Sequence, residues 1–343
     1  MKNRMKNRCA LFSVLAASAL VLTACSGNGE SGSQEGATED VESAESVTWR
    51  LGHSYGVESL ENRAAERLAA SIEEASDGQY TIEVFPSSQL GSWEEMQEGL
   101  ELGSVDIVIE SIGSLERYTD LAGIEGVPFL YEDAEDYFRT WDSELGQEMI
   151  LAIKEDSGFY LAGQMYRGPR VLNSTMPIST LADAEGLKIR VPNQETYIRT
   201  WQALGASPTP LSFNEVFSAL EQGAIEAQEN PVNVARFNSF YEVAPYIAYT
   251  NHLYGSNHFQ VWAETYDGWD EETRNLFDES VAEVSEWARE TSIKEQDENV
   301  AFLEENGVTF SEVDREKWVE ATSEVVEDAD PQVQAWIKQI REG

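Results

Sequence analysis

From residue 47 onward two periodicities alternate along the chain. Segments with every second residue apolar, or apolar on both faces, predict strands at VTWRLGH (47–53), YTIEVF (80–85), VDIVIE (105–110) and GFYLAGQM (158–165). Between them, apolar residues three and four apart predict helices over 58–78, stopped by Gly78, over 93–103 and over 133–158. Strands joined through helices predict a parallel sheet covered on both faces.

A second unit of the same kind begins near residue 168. RVLN (170–173) and LKIRV (187–191) read as strands, and ETYIRTWQALG (195–205) and SFNEVFSALEQG (212–223) as helices. Ser212 and Glu215 have the spacing of a capping box, with Gly223 as the stop. Near 248–263 (AYTNHLYGSNHFQVWA) the chain returns to the first unit. Residues 271–306 then keep a helical pattern for about 54 Å if continuous, a length that suits a brace between domains. The competing reading breaks this helix near 290–297. The expected fold class is α/β: two α/β domains with a ligand cleft between them, braced by the long helix. Domain I takes residues 47–167 plus 256–295, and domain II takes 168–255 plus 296–343.

The amino-terminal pattern is different. Lys2, Arg4, Lys6 and Arg8 precede an apolar run at 9–22, which is short for a membrane span and matches a signal peptide over residues 1–24. Leu22-Thr23-Ala24-Cys25 resembles the bacterial lipobox, in which the cysteine becomes the lipidated first residue of the mature protein. Cys9 lies inside the signal, so Cys25 is the lone remaining thiol and no internal disulfide is expected. Residues 25–46 hold that cysteine and a Gly/Ser/Glu tether reaching roughly 25 Å. Gly27, Gly29 and Gly32 match a dinucleotide-loop spacing, but without the flanking strand and helix the match carries nothing. The expected location is extracytoplasmic, with the protein anchored to the membrane by lipid and not crossing it.

Charge narrows the partners. The chain has 63 acidic and 23 basic residues, a formal net charge of −40; removing the four signal cations makes it −44. Such a surface repels nucleic acid and favours solubility. The three histidines, His53, His252 and His258, form no ligand cluster with cysteine, so no metal is expected. No P-loop, nucleophile elbow or H-E-x-x-H motif is present, and no cofactor is expected.

Polar groups at strand ends then become the candidates, because ligands of open α/β sheets bind there. Arg190 interrupts an apolar strand, Arg170 opens another, and His53 and Glu110 stand at strand ends of the first unit. Phe213 begins a helix, and Asn230 follows GAIEAQE. Two guanidinium groups beside an amide and an aromatic ring suit a small carboxylate. Each also has an ordinary reading: an ion pair or exposed edge position for Arg190, a turn for Arg170 and Asn230, a helix-capped carboxylate for Glu110, and plain packing for His53 and Phe213.

LADAEGLKIRVPNQETYIRTWQALGASPTPLSFNEVFSALEQGAIEAQENP (181–231), together with FPSSQLGSWEEMQEGLELGSVDIVI (85–109) and GVPFLY (126–131), resembles the solute receptors of tripartite ATP-independent (TRAP) transporters. The resemblance implies two α/β domains closing on an organic acid, a bracing helix, and delivery to integral membrane permease subunits without catalysis. It implies an arginine that fixes the ligand carboxylate, which matches Arg190, with Arg170, Asn193, Phe213 and Asn230 as further contacts. Glu110 and His53 offer acceptors suited to hydroxyl groups, which favours a sugar acid such as a hexuronate or aldonate over a C4-dicarboxylate. The rival readings are a receptor for an ATP-driven importer and a lipid-anchored enzyme acting on sugar acids.

Overall fold

A computed structural model describes residues 46–342. Cys25, the signal and the tether lie outside the described residues. The strands form two mixed sheets. The first contains β1 (Val47–Gly52), β2 (Tyr80–Phe85), β3 (Ile107–Ser111), β4 (Phe159–Pro169) and β10 (Tyr254–Trp262), in the order β2-β1-β3-β10-β4. The second contains β5 (Val171–Ser174), β6 (Lys188–Val191), β7 (Ser207–Pro210), β8 (Ala227–Asn230), β9 (Tyr246–Tyr249) and β11 (Thr309–Glu312), in the order β11-β9-β5-β8-β6-β7.

The expectation of wholly parallel sheets is corrected: each sheet holds one reversed strand. β10 runs antiparallel to β3 and β4, and β5 runs antiparallel to β8 and β9. The cause is the connection. Strands reached through a helix return in the same direction, whereas β5 follows β4 across Arg170 alone, and β10 follows β9 across residues 250–253. The two crossings are bonded to each other, with Arg170 N–H donating to Leu253 O at 2.9 Å.

The central strands of the first sheet, β3 and β10, are buried on both faces, as the apolar run at 105–110 predicts, while the edge strand β2 is half-buried. Trp49, Leu51, Ile107 and Ile109 pack on the helix Leu60–Ala75, while Val108 and Leu161 join Met96, Leu100 and Met149 on the opposite side. The helix Glu271–Glu305 is continuous for 35 residues, about 52 Å, so the break near 290–297 is absent. It enters two cores. Phe277, Val281, Val284 and Ala288 pack beneath the first sheet, and Leu303 packs with Val171, Val232 and Ile247 beneath the second. Gly163, at φ +68°, lets this helix approach β4, since a Cβ there would meet Val281 and Ser285.

Two helix expectations need correction. Residues 133–158 form two helices, Ala134–Trp141 and Glu144–Ser157, because Ser143 caps the second by accepting from Leu145 N–H at 3.2 Å. The Ser212/Glu215 capping box is not formed: Phe213–Glu215 is a 3₁₀ turn, and the α-helix covers only Val216–Glu221. Gly223 does end it, at φ +69°. A capping box forms instead at Ser92 and Glu95.

Candidate functional site

Strand ends from both sheets meet around a small cavity of about 40 Å³. β3 brings Glu110, β4 brings Arg167, the crossing brings Arg170, β6 brings Arg190 and β8 brings Asn230. Phe213, Tyr55 and Tyr197 supply aromatic walls. Five of the seven ligand candidates read from the sequence, Arg190, Arg170, Asn230, Phe213 and Glu110, therefore line one cavity.

Arg190 is 3% exposed and forms no ion pair among the described residues. Its Nε donates to Leu211 O at 2.8 Å, and its guanidinium lies 5.8 Å from the centre of the Phe213 ring. Burial lowers its pKa to about 10, so the cation is held at a cost.

Arg170 is differently placed. It is already neutralised by Glu229, through Nε to Oε2 at 2.5 Å and Nη2 to Oε1 at 2.7 Å. Glu229 also faces His252 Nε2 at 3.2 Å, and His252 Nδ1 lies 2.8 Å from Thr250 Oγ1. Burial alone pushes the Glu229 carboxyl up, but Arg170 outweighs it and holds the pKa at about 2. Burial lowers the pKa of His252 despite this neighbour, keeping the ring neutral at pH 7. The group is a buried, self-satisfied network that positions the crossing.

Glu110 accepts from Ser111 N–H at 3.0 Å, and burial raises its pKa to about 7 against the pull of Arg167. Asn230 donates from Nδ2 to Gln228 Oε1 at 2.8 Å, while its Oδ1 faces Arg167 Nη2 at a long 3.4 Å. His53 stands outside the lining. Its Nδ1 accepts from Tyr55 N–H at 3.2 Å and its Nε2 lies 3.2 Å from Asn62 Oδ1; burial lowers its pKa to about 4. It positions Tyr55 from behind. Asn193 is exposed, and its neighbours Pro192 and Gln194 line the cavity instead. The period of two in extended chain carries 192 and 194 to the side of Arg190 and turns 193 away.

Sequence reasoning missed Arg167, Tyr55, Tyr197 and Gln194. The strand at 158–165 was expected to stop before Arg167, but β4 continues to Pro169. Among the described residues, no group of three or more His, Cys, Asp or Glu side chains is placed to hold a metal, and no helix is long and apolar enough to cross a membrane.

Residues 51–332 match the model of bacterial extracellular solute-binding protein family 7. The chain belongs to this family. Its members are solute-binding receptors and not enzymes. A solute-binding protein of Roseobacter denitrificans is 32% identical over 283 residues, spanning 82% of this chain and 87% of the relative. A sialic acid-binding periplasmic protein of Vibrio cholerae is 28% identical, spanning 84% and 89%. A TRAP periplasmic solute-binding protein from Roseobacter denitrificans, crystallised with L-galactonate, superposes with a TM-score of 0.82 at 30% identity, covering 87% of this chain and 99% of that one. Another from the same organism, with β-D-glucuronate bound, gives 0.82 at 26% identity, covering 85% and 98%. The family 7 receptor fold, two mixed sheets with helices around them, is thus shared across nearly all the described residues.

Proposed function

We propose that this family 7 receptor binds a sugar acid, a hexuronate or aldonate, through pairing of its carboxylate with Arg190, and delivers it to the permease subunits of a TRAP transporter. The observation that carries the reading is Arg190: a buried guanidinium without a carboxylate partner among the described residues, facing a cavity. A ligand carboxylate supplies the missing charge, with two parallel hydrogen bonds available in the guanidinium fork. Galactonate and glucuronate in the related structures support this ligand class.

Binding is non-catalytic. The lobes formed by 47–167 with 256–295 and by 168–255 with 296–343 close on the ligand, and the closed form is the one presented to the permease. Cys25 anchors the receptor by lipid outside the cytoplasm. A C4-dicarboxylate fits less well, because its second carboxylate would face Glu110, whose buried carboxyl has its pKa raised to about 7 and repels it in the ionised form. Thermal shifts against galactonate, galacturonate, glucuronate, gluconate, succinate and malate test the reading. A shift with a sugar acid that is lost in Arg190→Ala supports it, and shifts with dicarboxylates alone refute the ligand class.

A further inference from the structure

The structure assigns ligand discrimination to Arg167: together with Glu110 it reads a hydroxyl group on a part of the ligand other than the carboxylate held by Arg190. This inference rests on the receptor reading above.

Arg167 is 7% exposed, lines the cavity, and forms no ion pair among the described residues. Its Nε is buried without a partner, and its one side-chain hydrogen bond is the 3.4 Å contact with Asn230. Its guanidinium lies 5.7 Å from the centre of the Tyr55 ring, as Arg190 lies over Phe213, and the two rings are 5.7 Å apart. Each free guanidinium therefore sits over a different member of one aromatic pair. A ligand held by its carboxylate at Arg190 presents another part of its chain to Arg167.

Glu110 lines the same cavity and makes no ion pair with Arg167, so neither group satisfies the other. Arginine only donates, whereas Glu110, with its pKa raised to about 7, accepts when ionised and also donates when protonated. A hydroxyl does both and satisfies the two together. A second carboxylate satisfies Arg167 while facing Glu110, and a methylene satisfies neither and leaves buried polar groups unpaired. The arrangement selects a polyhydroxy monoacid by its hydroxyl. Glu61 and Glu125, also buried, feel the Arg167 charge, so a purely structural counter-ion is the role to be excluded.

The test is calorimetry on the purified full-length protein with galactonate, galacturonate, glucuronate and gluconate, and then with the monodeoxy analogues of the tightest binder and the diacid galactarate. One monodeoxy analogue is expected to bind wild type 10- to 100-fold more weakly, and that difference should shrink to within about 3-fold in Arg167→Gln. Glu110→Gln should lose the same hydroxyl preference and gain affinity for galactarate relative to the monoacid. Should Arg167→Gln fail to fold, Glu110→Gln alone decides. Equal weakening of parent and analogues by Arg167→Gln would mark a structural counter-ion and overturn the inference, as would wild-type preference for galactarate. Failure of every acid to bind, or unchanged binding by Arg190→Ala, would overturn the receptor reading as well, and either result is separable from those involving Arg167.

Discussion

Arg190→Met separates ligand binding from folding, because the two should move in opposite directions. Burial lowers the Arg190 pKa from its ordinary value to about 10. At about 1.4 kcal/mol per unit, the ligand-free fold carries roughly 3 kcal/mol of unfavourable charge burial. Methionine removes that cost and refills most of the volume. It also loses the Nε bond to Leu211 O and the contact with Phe213, about 1 kcal/mol each. The net expectation is a ligand-free protein more stable by about 1 kcal/mol, with a melting temperature up by a degree or more. Arg190 is protonated in both the folded and unfolded states below pH 10, so the gain should be constant between pH 6 and 9. It should fade only as pH climbs above about 10, where the wild type sheds the charge. Sugar-acid binding should fall by at least about 30-fold, the equivalent of 2 kcal/mol for one partner of a desolvated pair. Scanning fluorimetry without ligand and calorimetry with it make the measurement. A variant that melts several degrees lower while still binding the acid would show that Arg190 serves the fold, and the argument would be refuted.

Three further outcomes follow from the same geometry. Glu229→Gln should destabilise by about 3–5 kcal/mol in urea melts, since it strands Arg170 in the interior; the ion pair's contribution in the wild type should be full above pH 4.5 and be lost as pH falls through about 2. For Glu110 the sign reverses: its folded pKa is raised from 4.5 to about 7, so wild type should lose stability between those values, and Glu110→Gln should remove up to about 3 kcal/mol of that slope. Gly146→Ala should cost about 1–3 kcal/mol in thermal melts, because the added Cβ would collide with the Trp141 carbonyl at the break between the two helices.

What the sequence made legible is what local periodicity encodes. The strands at 47–53, 80–85 and 105–110, the long helix and the odd arginine of LKIRV all stand out from their neighbours. β7, β8 and β11 read SPTP, AQEN and TFSE, and were invisible because prolines or polar residues interrupt the apolar alternation. β8 is nevertheless fully buried, its polar side chains satisfied by partners distant in the chain, such as Gln228 with Asn173 and Glu229 with Arg170. The reversed strands were hidden for a topological reason, since direction depends on where the chain crosses between sheets. The site shows the same limit at shorter range. His53 and Asn193 occur in the right segments, but one is spent behind Tyr55 and the other faces outward, while Arg167 was passed over by ending its strand two residues early.

The paired crossings have a mechanical consequence. Arg170 lines the cavity and is bonded to Leu253 of the other crossing, so the closure proposed above would turn one sheet against the other about a fulcrum beside the site. Arg167, three residues from that fulcrum, would travel little. Arg190 on β6 and Glu110 on β3 ride on opposite arms of the lever. On the proposed closure, opening would carry Arg190 and Glu110 apart while Arg167 stayed almost still. If the lobes close as proposed, the site would lie close to the pivot and the rims far from it, so a modest torque at the outer edges would concentrate on the few contacts that hold the ligand.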